Sequence, residues 1–141
     1  MNNATSLFLQ STSQLAQKVM LQLDDIQALY GGQRLLLAGD GRLVVTRVAP
    51  GGGQTVTEYI VPAADVAAIW QLCLAQDLLT IRPGERPGIP DEVRQTLTLT
   101  NGRGELHKVS KWAGVPDSRF TVILAGLLQL AARAENEQPA G

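Results

Sequence analysis

The sequence predicts an α+β domain, a mostly antiparallel sheet of about four or five strands with helices packed against it. Two hairpin signals and two helical stripes carry that expectation. Asp40–Gly41 and the stretch Asn101–Gly102–Arg103–Gly104 each separate runs rich in leucine and β-branched residues, the pattern of strands joined by a tight turn. After Pro62 and after Pro116, apolar residues recur every three or four positions, as on the buried face of a helix. Strands joined by hairpins run antiparallel, so the sheet should as well.

Taken in order, Leu7 and Leu9 suggest a short strand, or else the first dozen residues are disordered. Residues 13–30 carry Leu15, Val19, Leu23, Ile26 and Tyr30 on one helical stripe, with Ser13 as cap and Gly31–Gly32 as terminator. Val19, Leu21 and Leu23 also alternate as a strand would, but the helix is favoured. The next segment, QRLLLAGDGRLVVTRV, reads as a hairpin with a two-residue turn, placing Gly39 opposite Arg42, Leu37 opposite Val44 and Leu36 opposite Val45. Residues 49–54 form a glycine-rich loop, and TVTEYIV (55–61) a further strand. Pro62 then starts a helix whose inner stripe is Val66, Ile69, Trp70, Cys73 and Leu74.

The second hairpin pairs VRQTLTLTN with ELHKVSKW. With Thr100 opposite Glu105, Leu99 pairs with Leu106, Thr98 with His107 and Thr96 with Val109. That register turns Thr96, Thr98, Thr100, His107 and Lys111 toward solvent or a partner. A last helix spans about Arg119 to Ala134, with Phe120, Ile123, Leu124, Leu127, Leu128 and Ala131 inward, and the tail 135–141 is polar and frayed.

Composition narrows the functional classes. A chain of 141 residues is most simply one domain. Its 12 basic and 13 acidic residues are dispersed, so no basic stripe exists for nucleic acid and no polybasic segment for a membrane surface. The opening residues lack the pattern of a signal peptide and no apolar run is long enough to span a bilayer, so the expected setting is soluble, reducing and cytoplasmic. Cys73 is the only cysteine and reads as a buried hydrophobe, so no disulfide and no cysteine-based zinc site is expected. Neither glycine-rich stretch has the spacing of a phosphate loop.

The candidate surface centres on RPGERPGIPDE, Arg82 to Glu92. Three prolines and two glycines make it a stiff loop, unfit for a helix interior or a central strand. Such loops bind with little entropy to lose. Of its five charges, Arg82, Arg86, Asp91 and Glu92 are the candidate contacts, and His107, Lys111 and Trp112 lie on the strand expected beside it. Local pairing accounts for much of that charge: Asp91 caps a turn, and Glu92 pairs with Arg82, Arg86 or Arg94. Trp112 either covers the core edge or packs on the loop. His107, the only histidine, has no GxSxG or HExxH motif to serve.

From Leu35 to Leu130, the order of features resembles small bacterial α+β domains of uncharacterised function. The matching pieces are the Gly39–Asp40–Gly41 turn, a strand ending before a helix, the acidic Pro90–Asp91–Glu92, and the strand pair LTLTNGRGELHKV. The resemblance implies a fold and no activity. Together these features lead us to expect a noncatalytic binding or interaction module without cofactor or metal. Its partner would be another protein, or a second copy docking through the first helix or a hairpin edge. The alternative is a small hydrolase or lyase using Asp91, Glu92 and His107.

Overall fold

Alternation, not helical spacing, governs the first long apolar segment. In the computed structural model, which describes residues 3–10, 16–27 and 29–138, Met20–Gln27 is a strand, β1. Val19, Leu21 and Leu23 point into the core, the two leucines with no exposure at all, whereas Tyr30 of the expected helical stripe is 62% exposed. Burying those residues by alternation wins because each fully buried leucine is worth roughly 2–5 kcal/mol over alanine. Gly31 and Gly32 open the next strand rather than ending a helix. Ser13 and Leu15 of that expectation, and residues 139–141 of the tail, lie outside the described residues.

β2 (Gly31–Ala38), β3 (Arg42–Val48) and β4 (Gln54–Ile60) follow β1 as an antiparallel meander. The chain then crosses over through a helix, α2 (Ala63–Ala75), and returns to the other side of β1 as β5 (Arg94–Thr100), which pairs with β6 (Leu106–Trp112). The order across the sheet is β4-β3-β2-β1-β5-β6. The α+β class and antiparallel sheet thus hold, with six strands rather than four or five because β1 replaces the expected first helix.

Both hairpins turn one residue away from the expected register. β2 and β3 meet with Leu37 opposite Leu43 and Leu36 opposite Val44. β5 and β6 meet with Thr100 opposite Leu106, Leu99 opposite His107 and Thr98 opposite Lys108. The same device sets both. The amide of Gly41 donates to the Ala38 carbonyl and that of Gly104 to the Asn101 carbonyl, each at 3.0–3.1 Å. Gly41 and Gly104 have φ of 96° and 83°, so each connection is a three-residue loop ending in a left-handed glycine. A shift of one residue turns every side chain of a strand to the other face.

Among the described residues, the helices serve one side. Odd-numbered strand residues (Leu21, Leu23, Leu35, Leu37, Leu43, Val45, Tyr59, Leu97, Leu99, Val109) join Val66, Ile69 and Cys73 of α2 in a single core. The last helix, α3 (Ser118–Glu137), adds Phe120, Ile123, Leu127, Leu130, Ala131 and Ala134 to it. Asp117 caps α3 by accepting from the Phe120 amide at 3.0 Å, and the helix runs three residues beyond the expected Ala134.

Where Leu7 and Leu9 suggested a strand or disorder, Ala4–Leu9 forms a short helix, α1. It is held by polar contacts that its own residues do not announce. Thr5, fully buried, donates its hydroxyl to the Asp77 carboxylate at 2.7 Å and accepts the Leu79 amide at 3.0 Å. Asn101, 1% exposed, donates to the Phe8 carbonyl and ties α1 to the second hairpin.

Candidate binding surface

The loop 82–92 is exposed over most of its length, yet its charged groups are largely committed to holding its shape. Arg86 and Glu92 form a two-pronged ion pair, Nη1 to Oε1 at 2.8 Å and Nη2 to Oε2 at 2.6 Å. Glu92 Oε2 also accepts the Gly114 amide at 2.8 Å, bracing the loop against the segment after β6. Hydrogen bonding from Arg86 first, then from the Gly114 and Ile89 amides, pulls the Glu92 pKa down to about 2. Of the three arginines considered for Glu92, Arg86 is therefore the partner.

Trp112 packs on the loop. Its indole donates to the Arg86 carbonyl at 3.0 Å, and Gly88 lies so close that a Cβ there would stand 2.5 Å from the ring. The Arg94 guanidinium covers the same ring, 5.0 Å from its centre. Arg82 donates to the Leu79 and Ile81 carbonyls, at 2.8 and 3.0 Å. Asp91 occupies the turn at φ 67° and is exposed.

The solvent-facing roles expected of His107 and Lys111 fail because of the shifted register. Both are odd-numbered on β6 and share the inner side with Val109, while Lys108 faces outward. Lys111 is 4% exposed, and its ammonium donates to the Val115 carbonyl at 2.9 Å and the Ala113 carbonyl at 3.3 Å. It also stands over the Phe120 ring. His107 lies on the outer strand, with Nε2 buried and without a hydrogen-bond partner among the described residues. Burial first, and the charge of Arg82 second, lower its pKa below that of ordinary imidazole.

The three groups of the catalytic alternative are not brought together. His107 borders a groove along the outer edge of β6, with Arg82, Pro83 and Glu85. Asp91 borders a different depression, beside Asp25, Gln27 and Tyr30. Glu92 is bound to Arg86. Among the described residues, no three histidine, cysteine or carboxylate side chains are grouped to hold a metal, and no helix is long and apolar enough to cross a membrane.

A larger concavity than either lies elsewhere, on the side of the sheet that no helix among the described residues covers. It is a trough of about 630 Å³ across β2, β1, β5 and β6. Met20, Ile26, Leu36 and Leu106 supply its apolar surface, with Gln22, Thr96, Thr98 and Thr100 between them. Asp24 and Arg34 pair within it at 2.5 Å, and Lys108 has no ion-pair partner among the described residues. The bare side continues over β3 and β4, where Val56 and Ile60 are 60% and 66% exposed. Of this surface, the sequence reading located only the three threonines. The remaining residues could have been found from the alternation of β1 and from a three-residue turn in the second hairpin.

No protein-family model matches the chain, and no curated protein is detectably similar to it.

Proposed function

We propose that this protein is a noncatalytic protein-interaction module whose contact surface is the bare side of its sheet. One observation carries the reading: six strands form a continuous surface, the helices cover one side, and the other holds a broad trough of mixed apolar and threonine character. Exposed apolar area of this kind, bordered by polar groups, is typical of surfaces that dock proteins. The loop 82–92 then acts as a stiff border, fixed by Arg86, Glu92 and Trp112, rather than as the binding element itself. A reducing, cytoplasmic setting suits a chain whose single thiol is buried.

The test compares proteins retained from source lysate by tagged wild type, by Leu36→Arg on the bare side, and by a loop variant carrying Ile89→Ala and Asp91→Ala. The chain's own untagged copy counts among the proteins scored. Loss of binding by Leu36→Arg alone is the expected result. Equal retention by all three proteins would remove the bare side from consideration.

A further inference from the structure

The outward side chains of the six strands fall into rows, and four of their charges, Glu58, Lys108, Arg34 and Asp24, are placed at matching distances from the middle of the sheet; Arg42, 3.5 Å from Glu58, and Arg94, over Trp112, have no such counterpart. One row runs Glu58, Val44, Leu36, Gln22, Thr98, Lys108, each residue directly opposite the next in the strand pairing. An acidic residue stands at one end of the row and a basic one at the other. The neighbouring row toward Asp24 runs Val56, Thr46, Arg34, Asp24, Thr96, Ser110, with opposite charges on the two middle strands. At the other end of the sheet, Ile60 on β4 and Leu106 on β6 are exposed apolar residues, 66% and 60%.

We infer that the partner of this surface is a second copy of the same chain, docked sheet against sheet about a two-fold axis that runs along the strands between β1 and β2. The inference rests on the bare side being the contact surface. Such an axis lays β4 over β6 of the second copy, β3 over β5, and β2 over β1. Glu58 then meets Lys108 of the other copy, Arg34 meets Asp24, and Ile60 meets Leu106. Each contact occurs twice by symmetry. Lys108, which lacks an ion-pair partner among the described residues, gains one.

The opposite choice of axis, across the strands, lays each strand on itself. Lys108 would then face Ser110, Glu58 would face Val56, and Arg34 would face Leu36. That arrangement keeps the pairs Arg34–Asp24 and Arg42–Glu58 within each chain but covers Lys108 without matching it, which is costly. The Glu58–Lys108 contact therefore selects the axis along the strands. Packed sheets cross at roughly 30°, and the long side chains of Glu58 and Lys108 can span the resulting offset. Six strands about 4.8 Å apart and about seven residues long present roughly 700 Å² per copy. A stable interface of standard size covers roughly 800 Å² per partner.

Sedimentation equilibrium of the full chain tests this, with circular dichroism to establish that each variant is folded. Wild type should sediment as a dimer, and Leu36→Arg, at the centre of the face, as a monomer. Lys108→Glu and Glu58→Lys should each weaken the dimer by roughly tenfold. The double variant, with the charges exchanged, should recover most of that loss. A wild type monomeric up to high concentration overturns the inference, as does a dimer indifferent to Leu36→Arg or a double variant no tighter than the singles. A monomeric wild type that still loses a lysate protein on Leu36→Arg overturns only the second copy. If that variant loses nothing either, the contact surface itself falls.

Discussion

Glu92 ties two parts of the chain at once, the loop through Arg86 and the segment after β6 through the Gly114 amide. Its lowered pKa makes that tie sensitive to acid. In the unfolded chain Glu92 takes up a proton near an ordinary carboxylate value of about 4.3, while in the folded protein it resists until about pH 2. Its contribution is complete above the ordinary value and fades as pH falls through that window. The gap in denaturant midpoint between wild type and Glu92→Gln should therefore be full near neutrality and close on acidification. A gap that stays constant down to about pH 2 would show that the charge is not what holds the loop. Lys111 makes the complementary case in the interior. Lys111→Met keeps the aliphatic stem and removes the donor from the Val115 and Ala113 carbonyls, so thermal or urea unfolding should show a loss of roughly 1–3 kcal/mol. An unchanged midpoint would mean that water replaces the ammonium. That Glu92 pairs with a nearby arginine was legible in the sequence, but not which of Arg82, Arg86 and Arg94 it takes. The burial of Lys111 was not, because it depends on the length of a turn seven residues earlier.

At the scale of elements, the two hairpins show how much rests on one residue. Their strands and turn glycines were plain from β-branched runs and glycine spacing, and both helices after prolines fall where the apolar stripes put them. What the pattern could not deliver was the loop length. A three-residue loop and a two- or four-residue loop need nearly the same amino acids, yet they send His107 and Lys111 to opposite sides of the sheet. β1 escaped for a related reason. Val19 and Leu23 satisfy both a four-residue and a two-residue period, and only the partners on either side, β2 and β5, decide between them. α2, by contrast, was read nearly to the residue: Val66, Ile69 and Cys73 are buried and Trp70 packs on the core, with Leu72 in the place expected of Leu74. Burial pushes the Cys73 pKa up to about 12. A thiol-specific reagent at mildly alkaline pH should therefore label Cys73 only as fast as the protein unfolds, with labelling and unfolding rising together in denaturant. Rapid labelling of the native protein would place α2 elsewhere than against the sheet.

For the molecule as a whole, the decisive property is its one-sidedness. Among the described residues, two long helices and a six-stranded sheet make two layers, and the second surface of the sheet is left without a third. Nothing local encodes this. The trough is assembled from β1, β2, β5 and β6, and its character appears only when those strands are laid side by side in the right register. The sequence therefore revealed the materials of the surface, threonines and scattered leucines, without revealing that they share it. It drew attention instead to the most conspicuous stretch, the charged proline loop, whose Arg86 and Glu92 are spent on one another.

The strand order has a further consequence, for how the chain comes together in time. Every ladder except one joins strands adjacent in sequence. The exception is the seam between β1 and β5, where Met20 of β1 lies against Thr100 of β5. During synthesis the four-stranded meander can close soon after β4 emerges, but β1 then sits at its margin with one row of backbone groups unmet, until the α2 crossover and the proline loop have been made. For that interval a strand destined for the middle of the sheet is an open edge, the kind of template on which neighbouring chains pair wrongly. The stiff loop that precedes β5 shortens the search that ends this exposure, because a constrained connection has fewer conformations to sample before the seam can zip.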